Sequence, residues 1–290
     1  MPEIAIKLAN RLKQPYSKRR IRLYDKAEKV DLLEKLRVGL MEVVRGIGTD
    51  GDPLHRAYVI AQNQTSYFAE IASQLPEFAE YCEIVGSAED EYLPDAPPMS
   101  PLTKSYFTTW AFFDCRFGRD KETIGTCLIE VGEYLGFSPE KIEVVRLLQN
   151  SRMGIYEHCG TKGSKVVFRE LVSEEEHLCH VASGYLGNKG EIWYVRIVPP
   201  INESFDYNVV FTSPYVFLKA TKKQWLAFMD RTLPKVSEPD RKNALHVLMK
   251  YGLEPNYWNE FVFQAYYNHR VDVIFLAGYP DIKASRPQPY

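Results

Sequence analysis

The close grouping of histidine and cysteine in this 290-residue chain is His158-Cys159 with His177, Cys179 and His180. Imidazole nitrogen and thiolate sulfur are ligands that zinc prefers. On a β-strand, neighbouring side chains point to opposite faces. His158 and Cys159 therefore do not serve one ion, nor do Cys179 and His180, whereas His177 and Cys179 share a face. His177, Cys179 and Cys159 are the candidate metal ligands, although no Cys-x-x-Cys knuckle accompanies them. The same residues suggest a second chemistry, a thiol nucleophile at Cys159 or Cys179 with a nearby histidine as base and Glu157 as the acid. No flanking signature of a cysteine hydrolase supports it.

A different chemistry, recognition, is suggested by Trp193, Tyr194 and Arg196 in one short segment, with Phe211, Lys165 and Arg169 nearby. Aromatic rings stack on bases while cations meet phosphates. Arg19, Arg20 and Arg22, in a basic stretch over residues 4–22, extend that surface. The formal net charge of -2 supplies no global field for nucleic acid, so any such binding must be local. Elsewhere, His246 and His269 lack His-Glu-x-x-His spacing, and the glycines form neither a phosphate loop nor a dinucleotide fingerprint. No cofactor is expected, and no motif names a reaction.

The elements that must position these residues change period along the chain. Residues 27–44 carry Val30, Leu33, Leu36, Leu40 and Val44 at helical steps, and Asp52-Pro53 reads as a cap followed by proline at the first helical position. Residues 87–101, acidic and rich in proline, read as a long loop, and residues 102–117 as a buried aromatic helix. Further helices are expected over 120–134 and from Ser138-Pro139. Residues 4–22, interrupted by Pro15, read as a basic arm.

Between about 151 and 220 the period becomes that of strands. Runs at 155–159, 165–171, 177–182, 191–198 and 207–218 are punctuated by Gly and Asn, as in a small barrel of hairpins. From Thr221, which pairs with Gln224 as a capping box, helices return. The expected fold is α+β, a mostly helical chain with a central small antiparallel β-barrel of about five strands. Its domains are 1–150 helical, 151–220 barrel, and 221–290 a helical segment that packs on the rest.

The strings MGIYEHCG (153–160), SGYLG (183–187), WYVRIVPP (193–200) and VVFTSPYV (209–216) resemble a pattern in uncharacterised bacterial proteins. The block also distantly resembles small β-barrel segments of some bacterial proteins with SEC-C zinc motifs, a motif absent here. The resemblance implies a bacterial cytoplasmic source and no assigned activity.

The chain has five cysteines, an odd number without the dense spacing of a disulfide scaffold, and no run of eighteen apolar residues. Its first residues lack the apolar core of a secretory signal. A cytoplasmic protein with no membrane association is expected. The favoured expectation for function is a non-enzymatic interaction or regulatory protein with a protein partner. The alternatives are a nucleic-acid-binding module and a metal- or thiol-dependent hydrolase.

Overall fold

A computed structural model describes residues 2–13, 23–48, 50–93 and 102–278. The chain divides into two units, Met1–Ser87 with Thr108–Asn150, and Ala88–Phe107 with Ser151–Tyr290.

In the first unit, α1 (Glu3–Lys13) buries Ile4, Ala5, Leu8 and Ala9, a stripe at helical spacing. The first N–H groups of a helix have no partner within it. Here carboxylates distant in sequence supply one: Ile4 N–H donates to Glu122 Oε2 and Ala5 N–H to Glu122 Oε1, both at 2.8 Å. Glu3 N–H donates to Asp120 Oδ2 at 3.1 Å. Residues 4–13 are thus a docked helix and not part of a basic arm, because the cationic residues are interleaved with an apolar stripe. Arg19, Arg20 and Arg22 lie outside the described residues.

α2 (Leu23–Gly46) lies against α3 (Pro53–Ala72), where Gly39 leaves room for the Tyr67 ring and the Tyr67 hydroxyl donates to Lys35 O at 3.0 Å. Asp52 caps α3 as expected, accepting from His55 N–H at 2.9 Å. After a 3-10 turn at Pro76–Phe78, α4 (Ala79–Tyr92) runs through the first part of the stretch expected to be a loop. Ala88 and Tyr92 are buried one turn apart, and the acidic residues between them tolerate a helix, so burial prevails over composition there. Residues 94–101 lie outside the described residues. α5 (Lys104–Phe113) is the expected buried aromatic helix. α6 (Ile124–Val131) buries Ile124, Cys127, Leu128 and Val131 completely, and α7 (Pro139–Asn150) ends the unit. The division between units falls within α4 and α5.

The second unit holds six strands in its middle block: β1 (Met153–Lys162), β2 (Lys165–Glu170), β3 (Glu176–Val181), β4 (Ile192–Val198), β5 (Asn208–Val210) and β6 (Tyr215–Phe217). The first five close a barrel in the order β1-β2-β3-β5-β4, with β4 returning to β1. All these pairings are antiparallel except β3 with β5, which is parallel. The run 207–218 is thus two strands, broken at Ser213-Pro214, because proline donates no ladder hydrogen bond. Alternation decides the interior: Tyr156, Val166, Phe168, Cys179, Val181, Trp193, Val195 and Val210 share one core.

Three helices follow, α8 (Lys222–Thr232), α9 (Glu238–Tyr251) and α10 (Tyr257–Ala265). The Thr221–Gln224 capping box opens α8 as expected. A hairpin, β7 (Tyr266–His269) and β8 (Ile274–Leu276), then extends the sheet through a parallel pairing of β8 with β6. The C-terminal segment is therefore not wholly helical: β8 buries Ile274 and Leu276, two residues apart, in a short strand that the preceding helical run obscured. Among the described residues no helix is long and apolar enough to cross a membrane.

Replacing Glu122 by Ala removes two acceptors from buried N–H groups and should cost about 2–4 kcal/mol in denaturant unfolding. Asp120→Ala, at an exposed bond, should cost less than about 1 kcal/mol. Equal effects would show that Glu122 does not hold α1.

Candidate functional site

The barrel separates the residues that sequence placed together. Trp193 points into the core with no exposed surface. Tyr194 and Arg196 point the other way on β4 and are equally buried. Tyr194 packs against Trp258 and Phe261 of α10, with ring centroids 5.3 and 6.0 Å away, and against Tyr106 of α5. Arg196 Nη1 donates to Ser151 O at 3.0 Å, an oxygen that also accepts from Lys250 Nζ at 2.8 Å. None of the three presents a face on which a base could stack, because helices cover the outer side of β4.

The candidate metal ligands do not converge. Cys179 lies in the barrel core, and burial pushes its thiol up from the usual range, away from a nucleophile. Cys159 is the extra residue of a bulge between His158 and Gly160, and its thiol turns to Glu157 O at 3.6 Å. His177 meets the Tyr156 ring edge-on near the Arg152–Glu170 ion pair of 2.8 Å. Glu157, the acid of the thiol reading, is held by Lys222 Nζ at 2.8 Å. Among the described residues no group of three or more His, Cys, Asp or Glu is placed to hold a metal ion.

What does converge is an open cleft of about 560 Å³ between the loop joining β3 to β4 and the β7–β8 hairpin. Loop residues 184–188 and Glu191 form one wall, Asn268, Arg270, Asp272 and Phe275 the other, with Leu218 at the rim. The loop turns on Gly184, Gly187 and Gly190, all at positive φ.

Glu191 organises the loop wall. Its carboxylate accepts from Trp193 Nε1 and Asn188 Nδ2, both at 2.9 Å, and from the Tyr185 hydroxyl at 3.2 Å. A buried indole N–H needs a partner, and the barrel's central tryptophan thus fixes a cleft residue. Tyr185 stacks on Trp193 with centroids 5.2 Å apart and meets Phe275 across the cleft at 6.4 Å. Burial and the neighbouring Glu191 push the Tyr185 phenol up to about 12, so it remains a donor at neutral pH.

His158, inside the barrel, holds the loop from behind. Its Nε2 meets Leu186 O at 2.8 Å, and its Nδ1 accepts from Gly160 N–H at 3.1 Å. Opposite, the Arg270 guanidinium rests over the Phe275 ring at 5.4 Å while remaining exposed. Two exposed apolar side chains, Leu186 and Leu218, line the cleft beside these groups. Sequence reasoning missed Tyr185, Asn188, Glu191 and Arg270. The three glycines at three-residue spacing in 184–190 were the available signal, since they mark a loop of special backbone and not one simple turn.

Two outcomes test this geometry. Burial depresses His177 below its usual 6.5, against opposing carboxylates at Glu170 and Glu175. The unfolded chain then binds the proton more readily than the folded one, so stability is full above about pH 6.5 and falls as pH drops below it. His177→Gln should flatten that fall in pH-dependent denaturation, and an unchanged slope would exclude His177 as a cause. Gly187→Ala adds a Cβ 2.5 Å from the Trp193 ring and 2.6 Å from Glu191 Oε2, whereas a Cβ at Gly184 meets open space. Both positions carry the cost of positive φ, about 1–2 kcal/mol, and Gly187→Ala should lose clearly more stability than Gly184→Ala. No family model, curated protein or solved structure matches this chain.

Proposed function

We propose that this chain is a non-enzymatic interaction or regulatory protein of the cytoplasm that receives a protein partner at the cleft beside Glu191. The observation that carries this reading is Arg270, exposed yet held over Phe275, in a cleft also lined by exposed Leu186 and Leu218. Arginine and aromatic residues beside apolar surface are the usual anchors at the centre of protein interfaces. The polar floor is already ordered before any ligand arrives, which lowers the entropy cost of binding. Buried thiols at Cys115, Cys127 and Cys179, all free, fit a reducing compartment.

The nucleic-acid alternative keeps one supporting observation, Lys165 Nζ standing 4.4 Å over the Tyr207 ring on the outer side of β2. The neighbouring Arg169 is paired with Glu176 at 2.7 Å, and Glu203 and Asp206 add negative charge to the adjoining loop. That mixed patch lacks the basic footprint of a phosphate-binding surface.

Affinity capture from extracts of the native host should compare the full chain with Arg270→Ala and with Leu186→Asp, each checked for folding. One protein should co-purify with the natural chain and be reduced at least about tenfold by either change, as expected for loss of an interface anchor. Recovery of the bare chain in every case overturns the reading, and recovery of salt-sensitive nucleic acid would favour the alternative.

A further inference from the structure

We infer that the partner is received as an extended segment that adds a strand to the free edge of β7 and sets an acidic side chain against Arg270; this rests on the cleft being the partner site. β7 is the last strand of the sheet order β1-β2-β3-β5-β4-β6-β8-β7. Every other strand in that order has a neighbour on both sides.

The backbone groups that face outward follow from those that face inward. Arg270 N–H donates to Val273 O across the hairpin at 2.8 Å. Ile274, the register partner of His269, turns its N–H the other way, to Pro214 O beside β6 at 2.9 Å. Bonded and non-bonded pairs alternate along an antiparallel ladder, so the N–H and C=O of His269 point away from β8. Among the described residues no strand lies there to meet them.

An unpaired edge is a template for one more strand. Here the addition is short, because the bulge at Tyr267 interrupts the ladder on one side and Val271-Asp272 turns the chain on the other. Two backbone bonds at His269 hold a guest weakly, so selection rests on the side chains beside them.

Asn268 and Arg270, two residues apart, share the face of β7 that lines the cleft, with Phe275 next to them on β8. A guest residue opposite Arg270 places its Cβ about 5 Å from that of the arginine, on the same face. The chemistry that fits there is a carboxylate. Arg270 is the cation among the cleft-lining residues, its guanidinium rests on the Phe275 ring at 5.4 Å, and among the described residues no carboxylate pairs with it. A guanidinium donates two parallel bonds to one carboxylate, and the ring beneath holds it ready to do so. The carboxylates of the cleft do not take that place: Glu191 is engaged by Trp193, Asn188 and Tyr185, and Asp272 lies in the turn past the end of the strand. Exposed Leu186 and Leu218 offer apolar surface to the guest's next side chains on that face.

The test uses the full chain and a displayed library of random linear peptides, so that it can fail independently of capture from extracts. Selected peptides should carry Asp or Glu within an alternating apolar pattern, and Arg270→Glu should select Lys or Arg instead. When a selected peptide is added, exchange of the His269 amide should slow at least about tenfold, while the Arg270 amide, already bonded to Val273, changes little. His269→Pro and His269→Ala both remove the imidazole, but only proline removes the outward N–H, a loss that an edge strand tolerates. Proline should therefore weaken peptide binding at least about tenfold more than alanine, as expected for a lost backbone bond. If His269→Pro does not fold, exchange of the His269 amide in the natural chain decides. No enrichment, peptides indifferent to Arg270→Glu, or a His269 amide that stays open in the bound state overturns the added strand. A protein captured from extracts equally well by His269→Pro leaves the cleft as the partner site and removes the strand, whereas selected peptides without any captured protein do the reverse.

Discussion

Everything in the second unit is arranged around the need to bury one indole and still give its N–H a partner. Trp193 is among the largest fully enclosed side chains, and five strands close around it. The acceptor comes from where the wall ends. Glu191, two residues back, is that acceptor, reached at 2.9 Å. Its second oxygen and remaining lone pairs then recruit Asn188 and Tyr185. The interior packing problem thus generates an ordered polar surface outside, and the cleft inherits its rigidity from the core.

The same strand shows why two neighbouring aromatics have unlike fates. Trp193 and Tyr194 point to opposite sides of β4, yet both are buried, one by the barrel and one by α10, β6 and α5. β4 therefore has no solvated face, although the small antiparallel sheets it resembles usually keep one. Arg196 accepts the same burial because Ser151 presents a carbonyl and a hydroxyl to its Nη1. Such a residue reads in sequence as a surface cation.

Local signals were legible. Asp52-Pro53 and Thr221-x-x-Gln224 set helix starts by bonds spanning three residues, and strand alternation separated His158 from Cys159 and Cys179 from His180. The closed barrel was readable from the spacing of Gly and Asn. What could not be read depends on partners distant in sequence. Alternation assigns a side chain to a face but does not say what covers that face, which is how Tyr194 and Arg196 came to look available. Glu122 and Glu191 look like ordinary surface acids, and only the N–H groups brought to them reveal their roles. The hairpin after α10 was hidden for another reason: strands of three and four residues carry too little periodicity to compete with an adjoining helical run.

The capping of α1 from Glu122 also bears on the order in which the first unit can assemble. Residues 3–13 can form their apolar stripe early, but the N–H groups at their start lack these acceptors until a segment nearly 120 residues later is in place. A contact of such separation closes a long loop, the kind of non-local pairing that slows folding. Until then α1 remains a short helix with exposed apolar residues, too short to persist alone in water. The beginning of the described chain is in this sense a closing element, fastened by the turn that precedes α6.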